Sequence, residues 1–285
     1  MDMYNPISIL GKGTFGTVHL CERIHNKQKI VVKVINSDLE GEQLRAAKNE
    51  VAILKSLSHP NIIQYFDNFT KGNTFYIVME YATKGSLFDL ISKSRPNYFQ
   101  PQFVMDLFCQ ILMGLEHIHS KKVIHRDLKC ENIFLTGVSD NVIKIGDFGI
   151  SKKILTTKKT QTIIGTCNYL APEVCDGKPY DVKSDIWSLG CILYELCALE
   201  KMFEGTLSNV VLSIANGKIK CVNTAFYGDE MQDLITMMLQ VNPDHRPDTK
   251  ALMCHPDIFP TLYLLGVNLG CLGETAANEY VAKNP

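Results

Sequence analysis

The stretch His125-Arg126-Asp127-Leu128-Lys129-Cys130-Glu131-Asn132 gathers the side chains best able to do chemistry. An aspartate in such a loop can accept the proton of a hydroxyl group. A lysine two residues on can lie against a γ-phosphate. An asparagine five residues on can offer its amide oxygen to Mg2+, a cation that takes hard oxygen ligands and few of them from protein. Asp147-Phe148-Gly149 follows, just after the strand-like run Val142–Ile145. Asp147 would be a second metal ligand. The set suits phosphoryl transfer, where the protein does little covalent work and mainly positions groups and balances charge.

Two upstream features fit the same chemistry. Gly11-Lys12-Gly13-Thr14-Phe15-Gly16-Thr17-Val18 is a G-x-G-x-x-G-x-V stretch. Glycines lacking a Cβ let backbone N–H groups approach phosphate oxygens. A dinucleotide-binding loop shares the first six positions, but its last glycine opens a helix. Here Thr17-Val18-His19-Leu20-Cys21 alternates like a strand, so a hairpin lid over phosphates fits better. Lys33 ends the run Ile30-Val31-Val32. Pointing outward it is an ordinary solvated lysine. Pointing inward it needs an anion, which Glu50 on the following helix can supply.

These side chains require elements to hold them. Ile7–Leu10, Thr17–Cys21, Ile30–Ile35 and Phe75–Glu80 read as strands. Between them, residues 41–57 carry Leu44, Ala47, Val51 and Leu54 at helical spacing. After Gly85 the pattern turns helical. Phe103–His119 has Val104, Leu107, Phe108, Ile111, Leu115 and Ile118 on one period. Asp185–Leu199 reads as a buried helix and Met231–Leu239 as a shorter one. His125 to Pro172 reads as rich in loops. The expectation is an α+β chain with a strand-rich lobe over 1–81, a helix-rich lobe over 82–260 and a tail over 261–285 without heptads.

Ala171-Pro172-Glu173 completes an ordered series: glycine loop, lysine, H-R-D-L-x-x-x-N, D-F-G and A-P-E. On these motifs, residues 4–260 resemble the eukaryotic protein kinases. The resemblance implies a bilobal kinase fold with an antiparallel-sheet N-lobe and ATP in the cleft. It implies Asp127 as catalytic base, with Lys129 beside the transferred group. Lys33 would hold the α- and β-phosphates and pair with Glu50, and Asn132 and Asp147 would bind Mg2+. Leu10 through Val18 would cover the nucleotide. Val18, Val31 and Phe134 would sandwich the adenine, Met79 would be the gatekeeper, and Glu80 and Ala82 would offer hinge backbone groups. Arg246 would pair with Glu173. Lys129 and Gly165-Thr166 look like the serine/threonine branch.

Within that branch the sequence is similar to the NIMA-related (Nek) kinases, on Asp147–Ser151, Gly177-Lys178-Pro179-Tyr180, Lys183–Trp187 and Cys191–Cys197. The likeness implies roles at cytoskeleton, centrosome or cilium. It implies activation by phosphate on Thr162, pairing with Arg126 and placed by an upstream kinase or by autophosphorylation in trans. Thr166 is expected to be structural. Ile150, β-branched after D-F-G, implies a threonine preference. Cys167-Asn168 departs from the Pro-aromatic pair usual in Nek kinases, which bears on substrate choice. Relatives often carry coiled coils or repeat propellers, and residues 261–285 show neither pattern.

Composition is compatible with this reading. The 285 residues carry a formal net charge of −1, with 46% hydrophobic and 21% charged residues. Nothing favours electrostatic capture of nucleic acid or membrane. Ten cysteines lie singly, with no C-x-x-C pair, as expected for reduced thiols in the cytoplasm. The expected partners are protein substrates. One alternative is a scaffold with the same fold that binds ATP without turnover, which would typically have lost Lys33, Asp127 or Asp147. The other is a small-molecule phosphotransferase, which would usually lack the Ala171-Pro172-Glu173 segment.

Overall fold

The computed structural model describes residues 3–13, 16–35, 48, 51–72, 74–137, 141–147 and 167–268. The first part is a five-stranded antiparallel sheet, β1 (Tyr4–Gly13), β2 (Gly16–Arg23), β3 (Lys29–Ile35), β4 (Tyr65–Lys71) and β5 (Thr74–Glu80). Its spatial order is β1-β2-β3-β5-β4. Strand alternation divides its side chains between two faces. Ile30, Val32 and Val78 join Tyr4 and Cys21 in a small outer core backed by Phe66, Phe69 and Tyr76. Ile35, Phe75 and Ile77 point the other way, into the main core. Four of these strands match the expected ones, with ends shifted by a few residues. β4 was not expected: Tyr-Phe-Asp-Asn-Phe-Thr-Lys hides its pattern behind Asp67 and Asn68, and a register shift follows Tyr65.

Of the helix expected over 41–57, residues 48 and 51–56 are described and helical. Val51, Leu54 and Leu57 are buried in the main core, as their spacing requires. Leu44, Ala47 and Glu50 lie outside the described residues.

The remainder is mainly helical. Helix α1 is Leu87–Ser94 and α2 is Pro101–Ser120. Then come α3 (Pro172–Cys175), α4 (Val182–Ala198), α5 (Leu207–Ala215), α6 (Thr224–Tyr227), α7 (Asp229–Met238), α8 (Thr249–Met253) and α9 (Phe259–Asn268). Proline opens α2, where its missing N–H has no partner to lose. Helix α4 starts earlier than Asp185 because Asp181 caps it, accepting from the N–H groups of Lys183 and Ser184. It is buried from Ser184 to Cys197, and it packs against α7, where a Cβ at Gly190 would lie 2.9 Å from Met238.

Helix α9 crosses the boundary expected at residue 260. It packs on α2, with Thr261 and Leu262 buried. Pro260 suggested a break, but it occupies the first turn, where helices tolerate proline. No described helix is long and apolar enough to cross a membrane.

The segment expected to be loops contains a hairpin, β6 (Ile133–Thr136) with β7 (Val142–Ile145). The chain before β4 is pinned to it. Ile63 N–H donates to Ile145 O at 2.9 Å and Ile145 N–H to Asn61 O at 2.8 Å. Asn61 Nδ2 donates to Gln110 Oε1 and Ile143 O, both at 3.1 Å. This buried asparagine ties the sheet's connection to α2 and β7.

Candidate active site

The β6–β7 hairpin explains how residues distant in sequence meet. Ile133 pairs with Ile145, and Gly146 N–H donates to Asn132 O at 3.0 Å. Asn132 and Asp147 are thereby set at adjacent ends of one hairpin. Gly146 must be small, since a Cβ there would lie 2.9 Å from the Phe134 ring and 3.0 Å from Ile63.

Asp127 is the hub. Lys129 Nζ lies 3.2 and 3.0 Å from its two carboxylate oxygens. Asn132 Nδ2 donates to Asp127 O at 2.8 Å and to Oδ2 at 2.9 Å. Because Nδ2 faces Asp127, the amide oxygen Oδ1 is the atom left for a metal. On the opposite side Lys33 Nζ lies 3.5 Å from Asp147 Oδ1, with side-chain exposures of 14% and 55%. Lys33 thus points inward, and the anion it faces among the described residues is Asp147.

The loop carrying Asp127 is held from below. Asp185, fully buried on α4, accepts from His125 N–H at 2.9 Å and Arg126 N–H at 3.1 Å. His119 Nε2 adds a contact to Asp185 Oδ2 at 2.9 Å. These bonds hold Arg126 at φ 68°, a region few non-glycine residues adopt. His125 is buried and takes part through both ring nitrogens. Nδ1 accepts from Asp127 N–H at 3.3 Å, and Nε2–H donates to Gly146 O at 3.2 Å. Both bonds require the neutral ring. Burial lowers its pKa, outweighing the Asp185 and Asp127 charges.

The nucleotide side follows from strand register. Val18 opposes Lys33, which opposes Ile77; Leu20 opposes Val31, which opposes Met79. Opposed and alternate residues share a face, so Val18, Val31 and Met79 lie on the Lys33 face. Gly11 opposes Val18, Lys12 opposes Thr17 and Gly13 opposes Gly16; Leu10 is half-exposed beside the Ile9/Gly11 register shift. At Gly16, with φ +153°, a Cβ would lie 1.8 Å from Val34 O, so only glycine fits. Glu80 N–H donates to Gln64 O at 2.8 Å, and its side chain is tied to Lys144 at 3.0 Å, so its carbonyl is what it can offer a ligand. Ala82 is buried and Phe134 half-buried on β6. Thr14, Phe15, Glu50 and Thr162 lie outside the described residues, as do Phe148, Ile150 and Thr166. Arg126 is exposed.

Glu173 and Arg246 meet as expected from the resemblance. Two bonds of 2.8 Å join the guanidinium fork to the carboxylate. Ser184 Oγ adds a third at 2.7 Å, and Arg246 lies 5.0 Å over the Trp187 ring. Burial alone would raise the Glu173 pKa, but the bonds from Arg246 and Ser184 prevail and lower it. Sequence reading passed over His119, Asn61, Lys144 and Lys201. It also passed over Glu195, buried on α4, which accepts from the Tyr169 hydroxyl. The available signal was a lone acid inside the apolar run Cys191–Cys197.

The chain matches the protein kinase domain over residues 4–258. It belongs to the protein kinase family. Its relatives place it among the Nek serine/threonine-protein kinases. It is 40% identical over 272 residues to Nek8 of Danio rerio, covering 95% of this chain and 39% of that protein. It is 39% identical over 256 residues to Nek1 of Mus musculus, covering 89% of this chain and 21% of Nek1. With nekl-2 of Caenorhabditis elegans it shares 39% over 281 residues, covering 95% and 78%. The chain thus spans well under half of the length of the first two relatives.

Proposed function

We propose that this chain transfers the γ-phosphoryl group of Mg·ATP to serine or threonine hydroxyls of proteins. The observation that carries the reading is the bonded cluster Asp127–Lys129–Asn132 facing the Lys33–Asp147 pair. The donor set fits Mg2+: two side-chain oxygens, Asn132 Oδ1 and the exposed Asp147 carboxylate, suit a cation that takes its other ligands from phosphates and water. Among the described residues no cluster of His, Cys, Asp and Glu offers a larger cage. The bound metal neutralises phosphate charge during transfer.

The side chains divide the remaining work. Lys33 holds the α- and β-phosphates beneath the glycine hairpin. Asp127 takes the acceptor's hydroxyl proton as the new O–P bond forms and the bond to the β–γ bridging oxygen breaks. Lys129, already against Asp127, lies beside the moving phosphoryl group. Phosphate on Thr162, added by an upstream kinase or in trans by a second copy, activates the chain through Arg126. The direct test is phosphoryl transfer from Mg·ATP to a generic basic protein. Asp127→Asn should lower kcat by about 10²–10⁴-fold, the usual worth of a positioned base. Lys33→Met should also abolish turnover. Wild-type inactivity after Thr162 phosphorylation, with ATP still bound, would reject the reading.

A further inference from the structure

Two carboxylate oxygens beside the reaction centre lack a nitrogen or oxygen donor among the described residues: Glu131 Oε2 and Glu195 Oε1. Both are buried atoms. Glu131 lies on the loop carrying Asp127, and Glu195 lies beneath it on α4. Unpaired buried carboxylate oxygens are costly, and a cation is their natural partner. One is already present. Lys201 Nζ lies 3.6 Å from Glu131 Oε1 and lowers the Glu195 pKa electrostatically, against the larger raising effect of burial. Its ammonium also sits 5.9 Å over the rings of both Tyr169 and Phe88.

The backbone brings this lysine there. Helix α4 ends at Ala198, and Leu199 turns the chain at φ 58°. Lys201 then comes back towards the loop, its carbonyl accepting from Lys220 Nζ at 2.9 Å. Its side chain is only 19% exposed. The wall opposite is Tyr169, in the turn just before Ala171-Pro172-Glu173, which borders the path a substrate must take to Asp127.

We infer that Lys201 is an internal plug in an acidic subsite, standing where a substrate's arginine or lysine would otherwise bind, so that this chain selects substrates without requiring a cation there. The inference rests on the kinase reading for its biological meaning, but its physical content is a binding preference. Removing the ammonium should expose Glu131 and Glu195 to an incoming guanidinium. Arg can satisfy both free oxygens through its fork, which a lysine at 3.6 Å does not.

The test uses fluorescein-labelled peptides with the acceptor serine replaced by alanine and a single arginine moved one position at a time around it. Their affinities for the full chain are compared with those of an all-alanine peptide, so no turnover is needed. In wild type the arginine should give no gain at any position. In Lys201→Ala it should give about a tenfold gain at one position, the size of one charge-assisted hydrogen bond. Lys201→Met keeps the stem packing over the rings and should show the same gain if loss of the plug, not of folding, is the cause. Adding Glu131→Gln to either should erase it. An unchanged arginine-to-alanine ratio in a variant with wild-type Tm overturns the inference. So does an arginine preference already present in wild type. Failure of phosphoryl transfer would instead strike the kinase reading and leave these affinities to decide the subsite.

Discussion

At the scale of single residues, two glycines of one loop make opposite demands. A Cβ at Gly16 would lie 1.8 Å from the Val34 carbonyl oxygen, a backbone atom held in the β2–β3 ladder. At Gly11 it would meet nothing within 4 Å. Gly16→Ala must therefore displace the strand pair beside Lys33, and should cost about 1–3 kcal/mol, the range for an over-determined strained position. Binding of a non-hydrolysable ATP analogue, followed by calorimetry, should weaken with it. Gly11→Ala should leave Tm unchanged. Equal melting of the wild type and both variants would contradict the packing described. Asp127, Lys129, Asn132 and Asp147 were legible in sequence because each sits within a short motif whose internal spacing sets its geometry. Glu195 and Lys201 were not, because their contact with Glu131 is made only when α4 folds under the loop and no local pattern announces it.

At the scale of elements, Arg246 and Glu173 carry an unusual load. The guanidinium is fully buried, donates twice to the carboxylate and reaches the carbonyls of Gln240, Lys183 and Val241. Truncating one member of such a pair leaves an uncompensated buried charge. Arg246→Ala should lose about 3–5 kcal/mol in urea denaturation. Arg246→Lys should be nearly as damaging, since an ammonium cannot reproduce the fork. A loss below a surface pair's worth would mean that water reaches the site. Asp185 is the companion case. Asp185→Ala strips the acceptor from the N–H groups of His125 and Arg126, so kcat should fall while ATP affinity is retained. A variant with wild-type kcat would show that the loop holds itself. Helices α2 and α4 were readable from apolar period, but β4 and α9 were not. Aromatic residues broken by Asp67-Asn68 look irregular in one dimension, and Pro260 reads as a breaker until its place in a first turn is known.

At the scale of the whole molecule, the sheet meets the helical part across a pair of neutral histidines. Asn61 N–H donates to His59 Nδ1 at 3.1 Å and Ser58 N–H to His117 Nε2 at 3.3 Å. The rings lie 5.3 Å apart. Each bond needs an imidazole lone pair, so protonation removes it. Burial first, then His117 and Lys144, lower the His59 pKa from 6.5 to about 4. His117 sits near the end of α2, where the helix dipole favours a cation. Burial and Lys121 nevertheless prevail over Glu116 there, and its pKa is lowered too. His125 moves in the same direction, by burial. A depressed histidine pKa means that the folded state prefers the neutral ring. That contribution is complete above the unfolded value near 6.5 and is lost as pH falls towards about 4. Glu195 works the other way, since burial raises its pKa and favours the folded state in acid. Three histidines against one carboxyl predict a net fall. Tm should be level above pH 6.5 and decline between 6.5 and about 4, before the lowered carboxyls of Asp89, Glu173 and Glu200 begin to be protonated. Histidine-selective NMR gives the sharper reading, because it follows the His59 ring itself. Half-protonation near 4 is the expected result, and a His59 ring that titrates near 6.5 would mean that water reaches the junction between sheet and helices.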